Sequence, residues 1–138
     1  MKPQNYANHG YFPTMTPVAG LPAVIALLLF GFEAFRHPSP QAFGLIALAF
    51  SAIVLALISR AYTVRLQDRI IRLEMRLRLE QLGKAFEFTR LTTPQLVGLR
   101  FASDAELPDL VDRALRENLA LDQIKRSVND WQPDFHRT

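Results

Sequence analysis

The side chains that most often hold metals are scarce in this chain of 138 residues, which contains three histidines and no cysteine. His9 lies in a polar, aromatic segment before the first apolar run, and His37 lies in the short connector between two apolar runs. Either imidazole could ligate a haem or chlorophyll metal from a membrane interface, but an interfacial hydrogen bond would also account for it. His136 beside Asp134 and Arg137 fits a structural contact. We therefore predict no cofactor and no metal site.

Patterns that would indicate catalysis are missing from the sequence. It has no glycine-rich phosphate loop, no H-E-x-x-H sequence and no Ser-His-acid grouping with a recognisable spacing. Glu33 is the one carboxylate inside an apolar run, and Arg36 follows it by three residues, a spacing that favours an ion pair at the membrane interface. We predict that the protein is not an enzyme.

A row of arginines is the strongest charged feature, with spacings of four, three and four residues that place it along one edge of a helix: Arg65, Arg69, Arg72 and Arg76. Three interpretations are open. The row could contact anionic lipid headgroups, which contribute about 1 kcal/mol per basic residue. It could pair with an acidic C-terminal segment, which comprises Asp104, Glu106, Asp109, Asp112 and Glu117. Nucleic-acid binding is the least favoured because no aromatic side chains alternate with the arginines.

Two apolar runs must position these groups, at residues 18–35 and 42–60. Each is about as long as the 17 to 25 residues that cross a hydrocarbon core. The connector is short, so the pair predicts a two-helix transmembrane hairpin. Basic residues after the second run predict that both termini are cytoplasmic. The predicted divisions are an N-terminal cytoplasmic segment (1–17), the hairpin (18–61), an amphipathic cytoplasmic helix (62–89) and a C-terminal helical module with an aromatic tail (90–138).

The amphipathic helix has two apolar stripes on opposite sides when residues are placed about 100° apart. One stripe consists of Leu66, Ile70, Leu73 and Leu77, and the other of Val64, Ile71, Met75, Leu79, Leu82 and Phe86. Gly83 is the single break in a helical pattern that runs from Thr63 to about Phe88. Two opposed apolar faces require two partners. We expect one face to receive the C-terminal helices and the other to meet a second subunit.

The C-terminal module reads as three short helices, which makes the predicted fold all-α. Thr93 is placed to cap the first helix, with Pro94 in its first turn. The sequence from Ser103 to Glu106 matches a capping box for the second helix. The third helix is predicted at residues 122–129, and the aromatic tail of residues 131–138 is predicted to dock as an extended arm.

Four separated strings together carry a resemblance to a known family: Gln4 to His9, Arg65 to Glu74, Leu99 to Pro108 and Trp131 to Arg137. With them, nearly the whole chain resembles an uncharacterised family of small bacterial inner-membrane proteins, catalogued as a domain of unknown function. The resemblance implies two membrane spans and a cytoplasmic helical tail. It implies no activity and no functional residue.

We therefore expect a non-enzymatic protein of the bacterial inner membrane. It would contact inner-membrane lipids and act as an anchored helical adaptor, as an accessory or assembly subunit of a larger membrane complex, or as a homo-oligomer. One alternative is a membrane-tethered regulator whose C-terminal helices bind nucleic acid as a helix-turn-helix, although residues 101–138 carry eight acidic against five basic side chains. A second alternative is a cofactor-holding subunit of an energy-converting complex, using His9 or His37.

Overall fold

The computed structural model describes residues 4–6, 8, 10 and 15–134. These residues form six helices and no strand: α1 (Met15–Arg36), α2 (Pro40–Gln81), α3 (Ala85–Phe88), α4 (Thr93–Leu99), α5 (Leu107–Glu117) and α6 (Leu121–Ser127). An isolated antiparallel bridge joins Ala102 to Trp131. The predicted all-α fold is confirmed for this part of the chain.

The chain divides into two compact units. The two-helix unit is Phe12–Val64, and the terminal unit combines Met1–Tyr11 with Arg65–Thr138. The division falls within α2, which runs without a break from the apolar run into the charged helix. The second apolar run and most of the amphipathic segment therefore form one long helix.

Apolar side chains are exposed along both helices of the two-helix unit. Leu28, Leu48 and Leu55 are each about two-thirds exposed, whereas the buried side chains are the small ones of Ala34, Ala42 and Ala49. Small residues allow close helix approach where no hydrophobic force drives association. Of the helices described, α2 is the one long and apolar enough to cross a membrane, by length and composition. The structure thus supplies one candidate span where the sequence predicts two.

The expected ion pair between Glu33 and Arg36 is not formed in the described part of the chain. The Arg36 guanidinium lies 4.8 Å from the centroid of the Phe32 ring instead. Phe32 lies four residues earlier on the same helix, so its ring face is within reach of the guanidinium and offers a cation–π contact.

The core of the terminal unit forms where α2 meets the three C-terminal helices. Met75 and Leu79 of α2 are fully buried in one apolar cluster. The other helices contribute fully buried side chains to the same cluster: Leu96 and Leu99 from α4, Leu107 and Val111 from α5, and Ile124 from α6. The second half of α2 is therefore an integral part of this core.

Gly83 ends the long helix earlier than the sequence pattern predicts. It adopts a φ of 73°, a left-handed conformation that glycine adopts without steric penalty. The backbone N–H of Lys84 then donates to the Leu79 carbonyl at 2.7 Å, which closes the helix end. Residues beyond it form the separate helix α3. Phe86, which the sequence assigns to the second apolar stripe, is 73% exposed because the helical register is lost at Gly83.

Two predicted helix caps are wrong. Thr92, not Thr93, caps α4, and it exchanges hydrogen bonds with Gln95 in a capping box. The predicted box from Ser103 to Glu106 does not form, and α5 has no side-chain cap. The Glu106 carboxylate instead accepts hydrogen bonds from the backbone N–H groups of Asn129 and Asp130, at 3.1 and 3.2 Å. The Glu106 side chain therefore binds the segment after α6 and does not cap α5.

The N-terminal residues join the terminal unit through polar contacts with its last described residues. Gln4 Oε1 accepts hydrogen bonds from the Asp134 backbone N–H at 2.8 Å and from Trp131 Nε1 at 3.4 Å. The Arg126 Nε donates to the Tyr6 hydroxyl at 3.0 Å. Trp131 to Asp134 are non-helical, as predicted for the tail, while residues 135–138 lie outside the described part of the chain.

Gly98 marks a close approach between α4 and α6. A Cβ atom there would lie 3.0 Å from Ile124 Cγ2 and 3.3 Å from Leu121 Cδ1. Because the isopropyl group of Gly98→Val would overfill this contact, we expect a loss of about 1–3 kcal/mol in the free energy of unfolding. Thermal unfolding followed by Trp131 fluorescence in detergent would measure it. Gly44→Val, which meets open space, is the control, and equal stability of the two variants would contradict the expected close contact.

Candidate interaction surface on the long helix

An uninterrupted apolar stripe lies exposed on the charged half of α2. We call it the outer stripe, and its members are each more than half exposed: Leu66 at 57%, Ile70 at 57%, Leu73 at 61% and Leu77 at 53%. These are the residues that the sequence assigns to one face of the amphipathic helix. None of the four is buried by the described residues of the terminal unit, in contrast to the side chains of its core.

The opposite stripe is divided between core and surface. Ile71, Met75 and Leu79 are buried, and Leu82 packs against the same cluster. Val64, in the two-helix unit, is 37% exposed, and Phe86 is exposed beyond the helix end. The structure therefore places one predicted face in the protein's own core and leaves the other open.

The arginine row borders the outer stripe, and its four members are exposed. Arg72 donates to the Thr93 hydroxyl at 3.0 Å and lies over the Phe88 ring. Arg76 forms an ion pair with Glu80 at 2.8 Å, one turn further along the same helix. Arg69 makes none of the hydrogen bonds or ion pairs found among the described residues.

The acidic C-terminal segment has other partners, so the structure does not pair it with the arginine row. Asp112 accepts from Lys84 Nζ at 2.7 Å, and this hydrogen bond raises the pKa of Lys84 above its ordinary value. Glu117 pairs with Arg113 at 3.1 Å, and the hydrogen bond from Arg113 lowers the pKa of Glu117. These pairs lie within the terminal unit and do not involve the arginine row.

Arg78 is an important residue that the sequence analysis missed. Its guanidinium donates to the carbonyls of Ala102 at 2.9 Å and Arg100 at 3.2 Å, and its Nε donates to Asp104 at 3.0 Å. The side chain is 21% exposed. The sequence feature that could have identified Arg78 is its position between Met75 and Leu82, beside the buried stripe, where a charged side chain requires partners.

An open groove of about 620 Å³ runs beside the outer stripe. Gln67, Ile70, Glu74 and Arg78 line its α2 side. The opposite side is formed by Arg100, Asp104 and residues 132–134, with an ion pair of 3.1 Å between Arg100 and Asp134. The groove combines apolar and charged groups, and Ile70 belongs to both the groove and the outer stripe.

The described residues contain no group of three or more His, Asp or Glu side chains that could hold a metal ion. His37 is exposed in the connector after α1, where its backbone N–H donates to the Glu33 carbonyl at 2.7 Å. His9 and His136 lie outside the described residues, so the structure does not test their predicted roles.

Comparison with known proteins gives one match. A family model described as a family of unknown function (DUF6526) matches residues 1–138. No curated protein and no solved structure matches the chain. Since the family model covers the chain from end to end, the protein belongs to DUF6526, a family of unknown function.

Proposed function

We propose that this chain is a non-enzymatic, membrane-anchored assembly protein of the bacterial inner membrane. It would serve as an adaptor or accessory subunit that uses the outer stripe to bind another protein helix. The observation that carries this proposal is the exposure of four large apolar side chains in a charged, water-compatible part of α2. Contiguous exposed apolar surface of this kind marks interaction sites.

The contacts of the chain ends support a two-span anchor. Gln4 and Tyr6 bind residues 126–134, so the chain leaves the terminal unit before α1 and returns to it within α2. An excursion that crossed a bilayer would therefore cross it an even number of times. By length alone, α1 with its 22 residues extends about 33 Å at 1.5 Å per residue, which matches a hydrocarbon core of about 30 Å, although α2 is the described helix that also meets the composition of a span.

The distribution of charge supports a cytoplasmic location for both chain ends. Nine basic side chains against four acidic ones lie in residues 60–100, directly after the apolar half of α2. Basic residues close to a span are retained in the cytoplasm. In this orientation both chain ends, the arginine row and the outer stripe face the cytoplasm, and the row borders the headgroups of inner-membrane lipids.

The charge of the C-terminal helices argues against the nucleic-acid alternative. Residues 101–138 are net acidic, and their basic side chains include Arg113, which is engaged in an ion pair with Glu117. A helix-turn-helix reader depends on basic groups for phosphate contact. The apolar outer stripe is better matched to a protein helix than to a polyanion.

A loss of assembly in Ile70→Gln/Leu73→Gln would test the proposal. We expect the wild-type protein, extracted from membranes in mild detergent, to migrate as a complex larger than one chain. The double variant removes the centre of the outer stripe. We expect the ratio of single-chain to assembled protein to rise at least about tenfold, which corresponds to about 1.4 kcal/mol. Native gel mass measurement gives the distribution.

Phe86→Gln is the matched control, since Phe86 is 73% exposed but lies off the stripe on α3. It should assemble like the wild type. A wild-type protein that is strictly monomeric, or one recovered in the soluble fraction without detergent, would contradict the proposal. So would undiminished assembly of the double variant.

A further inference from the structure

We infer that the partner of the outer stripe is a second copy of the same helix, running parallel to the first as a short two-stranded coiled coil. Because this pairing uses the outer stripe, it rests on the proposed function and specifies its partner. The evidence comes from three features: the spacing of the stripe, the charges that flank it, and the side chains at the same register earlier in α2.

The outer stripe has coiled-coil spacing. Its members follow one another by four, three and four residues, which assigns Leu66 and Leu73 to d positions and Ile70 and Leu77 to a positions of a heptad. A β-branched residue at a with leucine at d favours two parallel strands. From Leu66 to Leu77 the a and d positions are all apolar, and the next d position is Glu80.

The flanking charges are complementary in a parallel pair. The e positions are Gln67, Glu74 and Gln81, and the g positions are Arg69 and Arg76. In a parallel coiled coil, a g side chain meets the e side chain of the following heptad on the other strand. Arg69 therefore meets Glu74 of the second copy, and two-fold symmetry forms this pair twice.

An antiparallel pair would separate Arg69 from Glu74 of the other copy and bring like charges together. In that arrangement g positions face g positions, so the arginines of the two copies would oppose each other. Both copies are also anchored through the preceding half of α2, and two anchors in one membrane run in the same direction. Charge and anchoring select the same parallel arrangement.

The two groups needed for the inter-copy pair are available. Arg69 and Glu74 are exposed, and neither takes part in a hydrogen bond or ion pair within the described part of the chain. Arg76 is already paired with Glu80 on its own helix. The predicted determinant of pairing is therefore the Arg69–Glu74 contact between copies.

The heptad register continues backward along the sequence of α2 with a change in residue size. Counting in sevens from the outer stripe assigns the earlier a and d positions to Ala52, Ala56, Ser59 and Thr63. Small residues favour close helix contact in lipid, whereas large apolar residues favour association in water. The same register therefore has small residues in the apolar run and large ones beyond it.

Cysteine cross-linking can test the register directly, because the natural chain contains no cysteine. Leu66→Cys and Leu73→Cys variants of the full chain, oxidised in native membranes, should each form a disulfide-linked dimer. A mixture of Leu66→Cys and Leu77→Cys chains should give no mixed dimer, since these positions are about 16 Å apart along parallel helices. Asp109→Cys, exposed on α5, is the control that should remain unlinked.

A charge exchange tests the pairing rule. Arg69→Glu replaces two attractive contacts by two repulsive ones, and we expect the dimer dissociation constant to rise about tenfold. Arg69→Glu combined with Glu74→Arg restores complementarity and should return the constant to within about threefold of wild type. Energy transfer between labelled chains diluted in lipid vesicles gives the constants.

Efficient cross-linking between Leu66→Cys and Leu77→Cys chains would overturn the parallel arrangement, and failure of the double exchange to recover would overturn the charge rule. If the Leu73→Cys variant does not link to itself while the wild type still forms a stripe-dependent complex, the second copy is the wrong partner and the proposed assembly function stands. A monomeric wild type rejects both.

Discussion

Met75→Glu is expected to destabilise the terminal unit strongly. Met75 is fully buried between Ile71 and Leu79 in the core cluster. The Arg78 guanidinium lies 3.9 Å from its Sδ, but it already donates to Asp104 and to two backbone carbonyls, so a new carboxylate would compete with these acceptors. An uncompensated buried carboxylate costs about 3–5 kcal/mol. That is a large share of the roughly 5–15 kcal/mol by which a folded domain is stable. Urea unfolding in detergent, followed by Trp131 fluorescence, would measure the loss.

Leu77→Glu is the matched control for this prediction. It introduces the same charge two residues later on the same helix, but Leu77 is 53% exposed and its carboxylate would remain hydrated. We expect Leu77→Glu to keep the fold and to lose association. Met75→Leu, which conserves volume, should cost less than about 1.5 kcal/mol. Equal stability of the two glutamate variants would show that the faces of α2 are assigned wrongly.

Phe101→Ala is expected to have the second large effect, a loss of about 3–5 kcal/mol. Phe101 is 1% exposed, and its ring stacks on that of Trp131 with centroids 4.5 Å apart. The Lys125 ammonium lies 5.7 Å from the same ring. Truncation would leave a cavity and release the segment that forms one wall of the groove. Both consequences would lower the stability of the terminal unit.

Near-ultraviolet circular dichroism of Trp131, measured through a denaturant titration, follows this release directly, since the chain has a single tryptophan. Phe86→Ala is the control, because an exposed ring leaves no cavity. A loss below about 1 kcal/mol for Phe101→Ala would indicate that the tail docks independently of the stacking contact.

The faces of α2 were predictable because they depend on one physical regularity. A continuous helix turns about 100° per residue, so the spacing of Leu66, Ile70 and Leu73 was sufficient to group them on one face. Which of the two apolar faces is buried was not predictable, since both contain similar side chains. That choice depends on the packing of α4, α5 and α6, which local periodicity does not encode.

The caps show how tertiary contacts override local motifs. The segment from Ser103 to Glu106 has the residues of a capping box, but Glu106 binds backbone groups at Asn129 and Asp130 that are distant in sequence. A pattern within four residues contains no information about that competition. The error of one residue at Thr92 is smaller, because two adjacent threonines precede Pro94 and either could serve as the cap.

Arg78 and the N-terminal contacts were missed for the same reason. Arg78 binds carbonyls more than twenty residues away, and Gln4 binds Asp134 across 130 residues. Polar side chains in a sequence do not indicate which distant backbone groups they will meet. The sequence pattern was sufficient to predict the candidate surface. Only the structure showed that the acidic segment has other partners and does not pair with the arginine row.

The bond between Gln4 and Asp134 also has a consequence for biosynthesis. A ribosome translates Gln4 long before Asp134, so the nascent chain must keep its early residues accessible until its late residues emerge. Closing a loop of this length carries an entropic penalty that grows slowly with chain length. In the membrane-anchored protein that we propose, a bilayer would tether both ends of the loop near one surface and so reduce the volume that they must search before closure.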